Sequence, residues 1–385
     1  MVETRRRLTR VGWVVVAVLG TGAVAIGTTT AALVVAGGPG HTKGYGSLRS
    51  TFSTAPPPAT GIERKPGTLD AISCPTATTC LTAGSGADGD ALVATSTDAG
   101  LTWSAAATPK TAPPLSGVAC ATLTTCTAVG GRVALYSADG GATWTAKTIG
   151  PVDASLTAVA CASSSTCVAT AMANRPGVGG SAGLVFLTSD AGQSWQQANV
   201  PSWAPGLFSV ACVSQTTCVA VGGTILVTKD AGRSWQNRTV AGGMNGLSSI
   251  ACPSADLCLA VGPNAAGISD PQAPGDYVVS HDGGNTWAQA TFPEASASVW
   301  EIACGSPTSC LASGDAPRAG TGPPLLTSSD GGATWAQGVP PGITDVAGIA
   351  CPGSTCIGVG HLASGSASIT ITQDGGRTWT SGALP

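Results

Sequence analysis

The chain has 385 residues, with 17 Lys and Arg against 20 Asp and Glu, and charged residues make up only 10% of it. That leaves no basic excess to neutralise a phosphate backbone, so nucleic acid is not an expected partner. Aromatic residues are scarce at 4%, while Gly alone contributes 54 residues, and bulk supplied by Ala, Val, Thr, Ser and Gly suits many short strands separated by turns.

The N-terminus carries Arg5, Arg6, Arg7 and Arg10, followed by a run without charge from Val11 to Gly40. As a helix this run would measure about 45 Å, more than the roughly 30 Å of a bilayer's hydrocarbon core. Basic residues before the run and none just after it place the N-terminus inside and the rest of the chain outside. Residues 1–10 therefore read as a cytoplasmic basic segment and 11–36 as one transmembrane signal-anchor helix. The alternative is a signal peptide cleaved after a small-residue site such as Val34-Val35-Ala36, which would release a secreted product. From residue 37 to 67 Gly, Pro, Ser and Thr dominate, with Pro56-Pro57-Pro58 among them. This is a linker stiffened at its prolines.

From residue 68 to the end an eight-residue pattern returns seven times: Ser or Thr, any residue, Asp, Ala or Gly, Gly, any residue, Ser or Thr, Trp. The copies place Asp98 with Trp103, Asp139 with Trp144, Asp190 with Trp195, Asp230 with Trp235, Asp282 with Trp287, Asp330 with Trp335 and Asp374 with Trp379. A cysteine pair precedes each copy: Cys74/Cys80, Cys120/Cys126, Cys161/Cys167, Cys212/Cys218, Cys252/Cys258, Cys304/Cys310 and Cys351/Cys356, which accounts for all 14 cysteines. A repeat of 40 to 50 residues built from strand-forming types predicts a β-propeller with one blade per repeat. In the third unit, strands are expected over 156–162, 166–171, 184–187 and 195–200. The fold expected is therefore all-β, a seven-bladed propeller of four-stranded antiparallel blades preceded by the N-terminal helix.

Two residues before each first cysteine stands Ile or Val, and the residues beside it are mostly small, as innermost strands crowded round a channel require. The paired cysteines then oppose each other across the first hairpin, close enough to bridge. Seven such pairs point to disulfides and an oxidising compartment. Zinc is the competing reading and fits poorly, since only His41, His281 and His361 are present. Each bridge contributes roughly 2 kcal/mol at best, so the cysteines read as staples in a core poor in Leu and Phe.

With these motifs in register, residues 68–385 resemble the Asp-box, or BNR, repeat family of sialidases and of the seven-bladed photosystem II assembly factors. The resemblance implies that each Asp ties down the amides of its own turn and that each Trp packs between adjacent blades. Independently, Asp is suited to bonding turn amides and Gly to positive φ. The seven Asp residues are accordingly turn locks and not catalytic acids.

The cysteine hairpins and Asp turns share one end of every blade. The loops between second and third strands, with the blade-to-blade connections, share the other end, and the variation falls there. Candidate ligand-binding residues at that end are Arg175, Asp276, Asp315 and Arg318 in the long loops 171–183, 262–276 and 314–324. Trp203 and Trp300 lie in or beside blade connections. Glu301 stands where other repeats have Ala, Gly or Ser, and His361 is placed in the last of the loops. No catalytic set, metal site or cofactor is expected. The function expected is a membrane-tethered, extracytoplasmic, monomeric scaffold holding a protein or a glycan against the variable face. The resemblance to assembly factors implies protein clients. The alternative is a sialidase-like glycoside hydrolase, for which Arg132, Arg175 and Arg318 would need to converge beside Tyr136 or Tyr277 and a glutamate, although the Arg-Ile-Pro motif of that family is absent. A third reading is a stalked domain with no small ligand.

Overall fold

Each cysteine pair opens a sheet of four consecutive antiparallel strands, and seven such sheets follow one another along the chain. The computed structural model describes residues 66–174, 180–240, 246–263, 276–293, 299–314, 325–338, 345–362, 364 and 366–384. The segments 1–10 and 11–36, and the linker up to residue 65, lie outside the described residues. The fold is the expected all-β propeller of seven four-stranded blades. Its first strand, Pro66–Ser73, starts two residues earlier than the expected boundary.

The third blade shows how sequence becomes sheet. Its strands are Ser155–Cys161, Cys167–Asn174, Ser181–Thr188 and Gln196–Gln197. The two middle strands pair along their whole length, from Cys167 opposite Thr188 to Asn174 opposite Ser181. Part of the expected loop 171–183 is therefore strand. The outermost strand is shorter than expected: Trp195 folds its indole back onto Gly192 O at its start, and Asn199 pairs with Ser234 of the next blade at its end. The backbone then reaches the sheet through the Ala198 amide bonding Val185 O at 2.8 Å.

All seven cysteine pairs are disulfides, Cys74–Cys80, Cys120–Cys126, Cys161–Cys167, Cys212–Cys218, Cys252–Cys258, Cys304–Cys310 and Cys351–Cys356, with Cα separations of 3.9–4.1 Å. Where both cysteines lie within strands, as with Cys161 and Cys167, they are direct cross-strand partners. Each bridge clamps the turn between the first two strands of its blade.

The two sulfurs of a bridge are not equivalent. The first cysteine of each pair is half-buried. The second, Cys80, Cys126, Cys167, Cys218, Cys258, Cys310 or Cys356, is buried at 0–4% exposure. Each of these seven opens the second strand of its blade and belongs to a different hydrophobic cluster of the ring. All seven are therefore core side chains, packed at the interfaces between blades. A half-cystine packs there as a small hydrophobe.

The Asp turn is a local hydrogen-bond machine. In the second blade, the Thr143 amide and hydroxyl donate to the two Asp139 carboxylate oxygens at 2.9 and 2.6 Å. Ser137 donates its hydroxyl to the same carboxylate at 2.8 Å and accepts the Gly141 amide at 2.8 Å. Gly141 has φ of 90°, and a Cβ there would collide with Leu81 of the first blade, so only glycine fits. Trp144 then donates its indole N–H to Gly141 O at 2.9 Å. Its ring is packed with Leu81, Ala83 and Val93 of the first blade and Leu135 of its own.

The same indole wedge recurs at every interface. Trp103 performs it between the first and seventh blades, packed with Ile357, Ile369 and Ile371. There the Ala383 amide also bonds Leu101 O at 2.8 Å. The ring thus closes by packing and short backbone pairing, with each described blade built from its own repeat. One box departs from the pattern. Tyr277 donates its hydroxyl to Gly332 O at 2.6 Å, the acceptor that the indole takes in the other six boxes. Trp335 Nε1 is left without a well-aligned acceptor, inside a ring cluster with Tyr277 and Phe292.

Every innermost strand carries a one-residue bulge four positions before its first cysteine. Asp70, Thr157, Phe208, Trp300 and Ala347 are skipped in the cross-strand register. Ser116 and Ser248 each donate an amide to a carbonyl, Val129 O or Val261 O, that lies opposite the following residue. A bulge increases local twist and re-aims side chains, and here it turns two successive residues toward the central channel.

Two measurements follow from this arrangement. Alkylation of the denatured, unreduced chain is expected to label none of the 14 cysteines; incorporation at any pair removes that staple from the account. Trp103→Ala is expected to cost about 3–5 kcal/mol and to lower the melting temperature by several degrees, whereas the exposed Trp203→Ala should stay within about 0.5 kcal/mol.

Candidate functional site

Where the innermost strands converge they enclose a channel cavity of about 150 Å³. The position three before each first cysteine faces it, and crowding there is severe. A Cβ added at Gly117 would lie 3.1 Å from Ala158 Cα, and one at Gly348 3.1 Å from Ala71 Cα. Six repeats therefore use Ala, Gly or Ser at this position. The sixth uses Glu301, whose side chain extends into the cavity. Ser249 Oγ donates to Glu301 Oε2 at 3.0 Å and itself accepts the Ile302 amide at 3.3 Å.

Glu301 is partly buried in the narrow channel, and desolvation there pushes its carboxyl up to about 8, with the nearby Asp345 charge adding to the shift against the Ser249 bond. Burial raises Asp70 too, opposed by the Thr68 hydroxyl, which donates to it at 2.8 Å, and by His361, with Asp345 again raising it. His361 Nδ1 lies 3.5 Å from Asp345 Oδ2. Asp70, Glu301, Asp345 and His361, from the first, sixth and seventh blades, therefore form one electrostatically coupled group in and beside the channel.

Aromatic side chains stand around the same end. Phe208 and Trp300 occupy bulge positions and are 41% and 38% exposed, and Trp203 in the connection between the third and fourth blades is 52% exposed. In three other blades the bulge residue carries a hydroxyl that ties it to the next blade. Ser116 donates to Leu156 O at 2.7 Å, Thr157 to Leu207 O at 2.8 Å and Ser248 to Trp300 O at 2.6 Å. Phe208 and Trp300 have no hydroxyl to offer and stand in solvent.

The structure gathers part of the candidate set. Glu301 lies on the innermost strand Val299–Cys304, in the column of small residues as expected, and Trp300 stands near the start of that strand, beside the blade connection. His361 ends the second strand of the seventh blade, Cys356–His361, where a loop was expected; its pairing with Asp345 holds it in the sheet. Asp276 begins the third strand of the fifth blade and pairs with Thr291. Arg175, Asp315 and Arg318 lie outside the described residues. Arg132 donates Nη2 to Gly150 O at 3.1 Å, a structural use. Tyr277 is 4% exposed inside a blade interface, so its hydroxyl is remote in role from the channel carboxylates. Asp70, Phe208 and Asp345 were not anticipated. Phe208 was accessible to an alignment of the repeats at the bulge position, where it replaces a hydroxyl; nothing in the repeat marks Asp345.

No family model matches the chain, and no curated protein matches it. Solved structures do resemble it. YCF48 bound to D1 peptide aligns with a TM-score of 0.54 at 19% identity, over 77% of this chain and 89% of that one. YCF48 from Cyanidioschyzon merolae gives 0.53 at 16%, over 79% and 95%. The GH74 xyloglucanase from Xanthomonas campestris gives 0.58 at 15%, over 83% of this chain but only 55% of the enzyme. At such identities the likeness establishes the propeller fold alone.

The channel carboxyl predicts an unusual pH profile. Glu301 has a folded value of about 8 against an ordinary 4.5, so stability present below the ordinary value is lost as pH rises through 8; Asp70 acts with the same sign. Asp282, Asp330 and Asp374 are lowered to about 2 by their turn hydroxyls and amides, so the stability they contribute above 3.8 is lost as pH falls through 2. Thermal melting should therefore be highest near pH 4–5 and decline toward pH 8. Glu301→Gln should remove most of that decline, on the order of 3 kcal/mol at pH 8. A variant profile parallel to the parent's would contradict the burial assigned to this carboxyl.

Proposed function

We propose that the chain is an Asp-box propeller of 68–385, tethered by residues 11–36 and a 37–67 linker on the extracytoplasmic side of the cell membrane. In this reading it works as a monomeric, non-catalytic scaffold that holds a protein segment against the channel end of the ring. One observation carries the reading. Phe208 and Trp300 fill a position where other repeats place a hydroxyl that bridges blades, and both rings are exposed at one end of the channel, with Trp203 exposed at that end too. Aromatic side chains are enriched among the residues that anchor protein–protein contacts. The seven disulfides agree with an oxidising, extracytoplasmic setting. The similar YCF48 structure contains a bound peptide, which supports a protein client by analogy of fold.

The glycoside hydrolase reading has less support. Among the described residues, Tyr277 and Arg132 are engaged in packing and backbone bonds, and neither sits with Glu301 in the way that sialidase chemistry requires. The GH74 neighbours share the propeller, not a demonstrated set of catalytic residues.

A photo-crosslinking amino acid placed at Trp203 in full-length protein on intact cells tests the proposal. The expected product is a discrete protein adduct, reduced at least tenfold by Phe208→Ser with Trp300→Ser at unchanged melting temperature. An adduct insensitive to both substitutions would overturn it, as would capture of carbohydrate alone.

A further inference from the structure

We propose that the channel mouth receives a basic side chain, Lys or Arg, of an extended peptide whose apolar stem and neighbours rest on Phe208 and Trp300. The inference rests on the scaffold reading above and specifies its ligand chemistry.

Three independent features converge on this class of ligand. The first is space: the innermost strands leave a channel cavity of about 150 Å³ whose lining includes Asp70, Ser248, Phe208 and Glu301. The second is charge. Glu301 projects into the channel with Asp345 close enough to raise it, while Asp70 senses both Asp345 and His361. His361 Nδ1 lies against Asp345 there. Arg132, in the turn between the second and third strands of the second blade, is directed to Gly150 O. An entering ammonium or guanidinium would find carboxyl groups from three blades. The third is the apolar rim. Lys and Arg combine a hydrocarbon stem with a charged tip, and rings beside a cation add attraction of about 0.5–1 kcal/mol at exposed sites.

A purely structural role for Glu301 explains less. The crowding that admits only Ala, Gly or Ser in the other repeats shows that the ring closes without a long side chain at this position. Burying a carboxyl there destabilises the ring near neutral pH, as its raised value records. A bound cation reverses that cost by stabilising the carboxylate, and the proton leaves Glu301 for solvent. Among the described residues no group of three His, Cys, Asp or Glu side chains converges with metal-ligand geometry, which favours an organic cation over a metal ion. A nucleic acid or anionic ligand would meet like charge.

The test begins with selection of random displayed peptides on the full-length protein in detergent, counter-selected against the Phe208→Ser, Trp300→Ser double variant. A consensus peptide is then compared with its counterpart in which norleucine replaces the basic residue and keeps the stem. The expected result is enrichment of Lys or Arg beside apolar residues, with at least tenfold weaker binding by the norleucine peptide. Glu301→Gln should weaken the basic peptide by a similar factor and leave the norleucine peptide within twofold. Calorimetry in two buffers of different ionisation enthalpy should show proton release on binding of the basic peptide. Enriched peptides lacking a basic residue, or equal binding of the norleucine form, would overturn this inference and leave the scaffold reading standing. Absence of any peptide sensitive to the double variant would overturn both. If Glu301→Gln fails to fold, the norleucine comparison alone decides.

Discussion

The indole wedge is the contact on which this ring depends. A propeller blade buries little surface on its own, and its sheet faces must be covered by the blades on either side. In this chain, poor in large apolar residues, seven tryptophans supply much of that coverage, each set against the preceding blade by the turn that carries it. The Asp carboxylate, the Ser or Thr hydroxyls and a glycine at positive φ fix that turn within a few residues of sequence. A local hydrogen-bond pattern is thereby converted into long-range packing. The disulfides act at the same end of each blade, constraining the first hairpin as the Asp turn constrains the last, and their inner sulfurs add to the packing between blades.

This division of labour explains why one end of the molecule is uniform and the other is not. The uniform end is where shape is made. At the channel end, a bulge in every innermost strand turns side chains inward and leaves the repeat free to vary at those positions. Three blades use the freedom for inter-blade hydroxyl bonds. The fourth and sixth use it for rings, and the sixth adds a carboxyl in a space sized for Ala or Gly. Departure from a repeat without a packing benefit is the physical mark of recognition in such a fold.

The fold was legible in the sequence because its determinants are local. The spacing from cysteine pair to Asp turn gives the blade, and seven spacings give the ring. Glu301 was also legible, since it breaks a column of small residues. Placement on strands was harder to read. His361 resembles a loop residue until its pairing with Asp345 is seen, and Asp70 becomes a channel residue only because a bulge rotates it inward. Bulges leave no fixed residue signature in a single chain, so the convergence of the first, sixth and seventh blades on one carboxyl cluster required the closed ring. The same holds for Tyr277, whose hydroxyl replaces an indole in a box more than fifty residues away.

Hydrogen–deuterium exchange of the full-length protein, resolved by peptide, addresses ring closure most directly. If the wedge of Trp103 against Ile357, Ile369 and Ile371 joins the first and seventh blades as tightly as the others are joined, their second strands, Cys80–Gly86 and Cys356–His361, should exchange as slowly as those of the middle blades and open with them cooperatively. Fast, independent exchange confined to the first and seventh blades would show an open ring, and with it the channel-mouth geometry that joins Asp70 to Glu301 would fall.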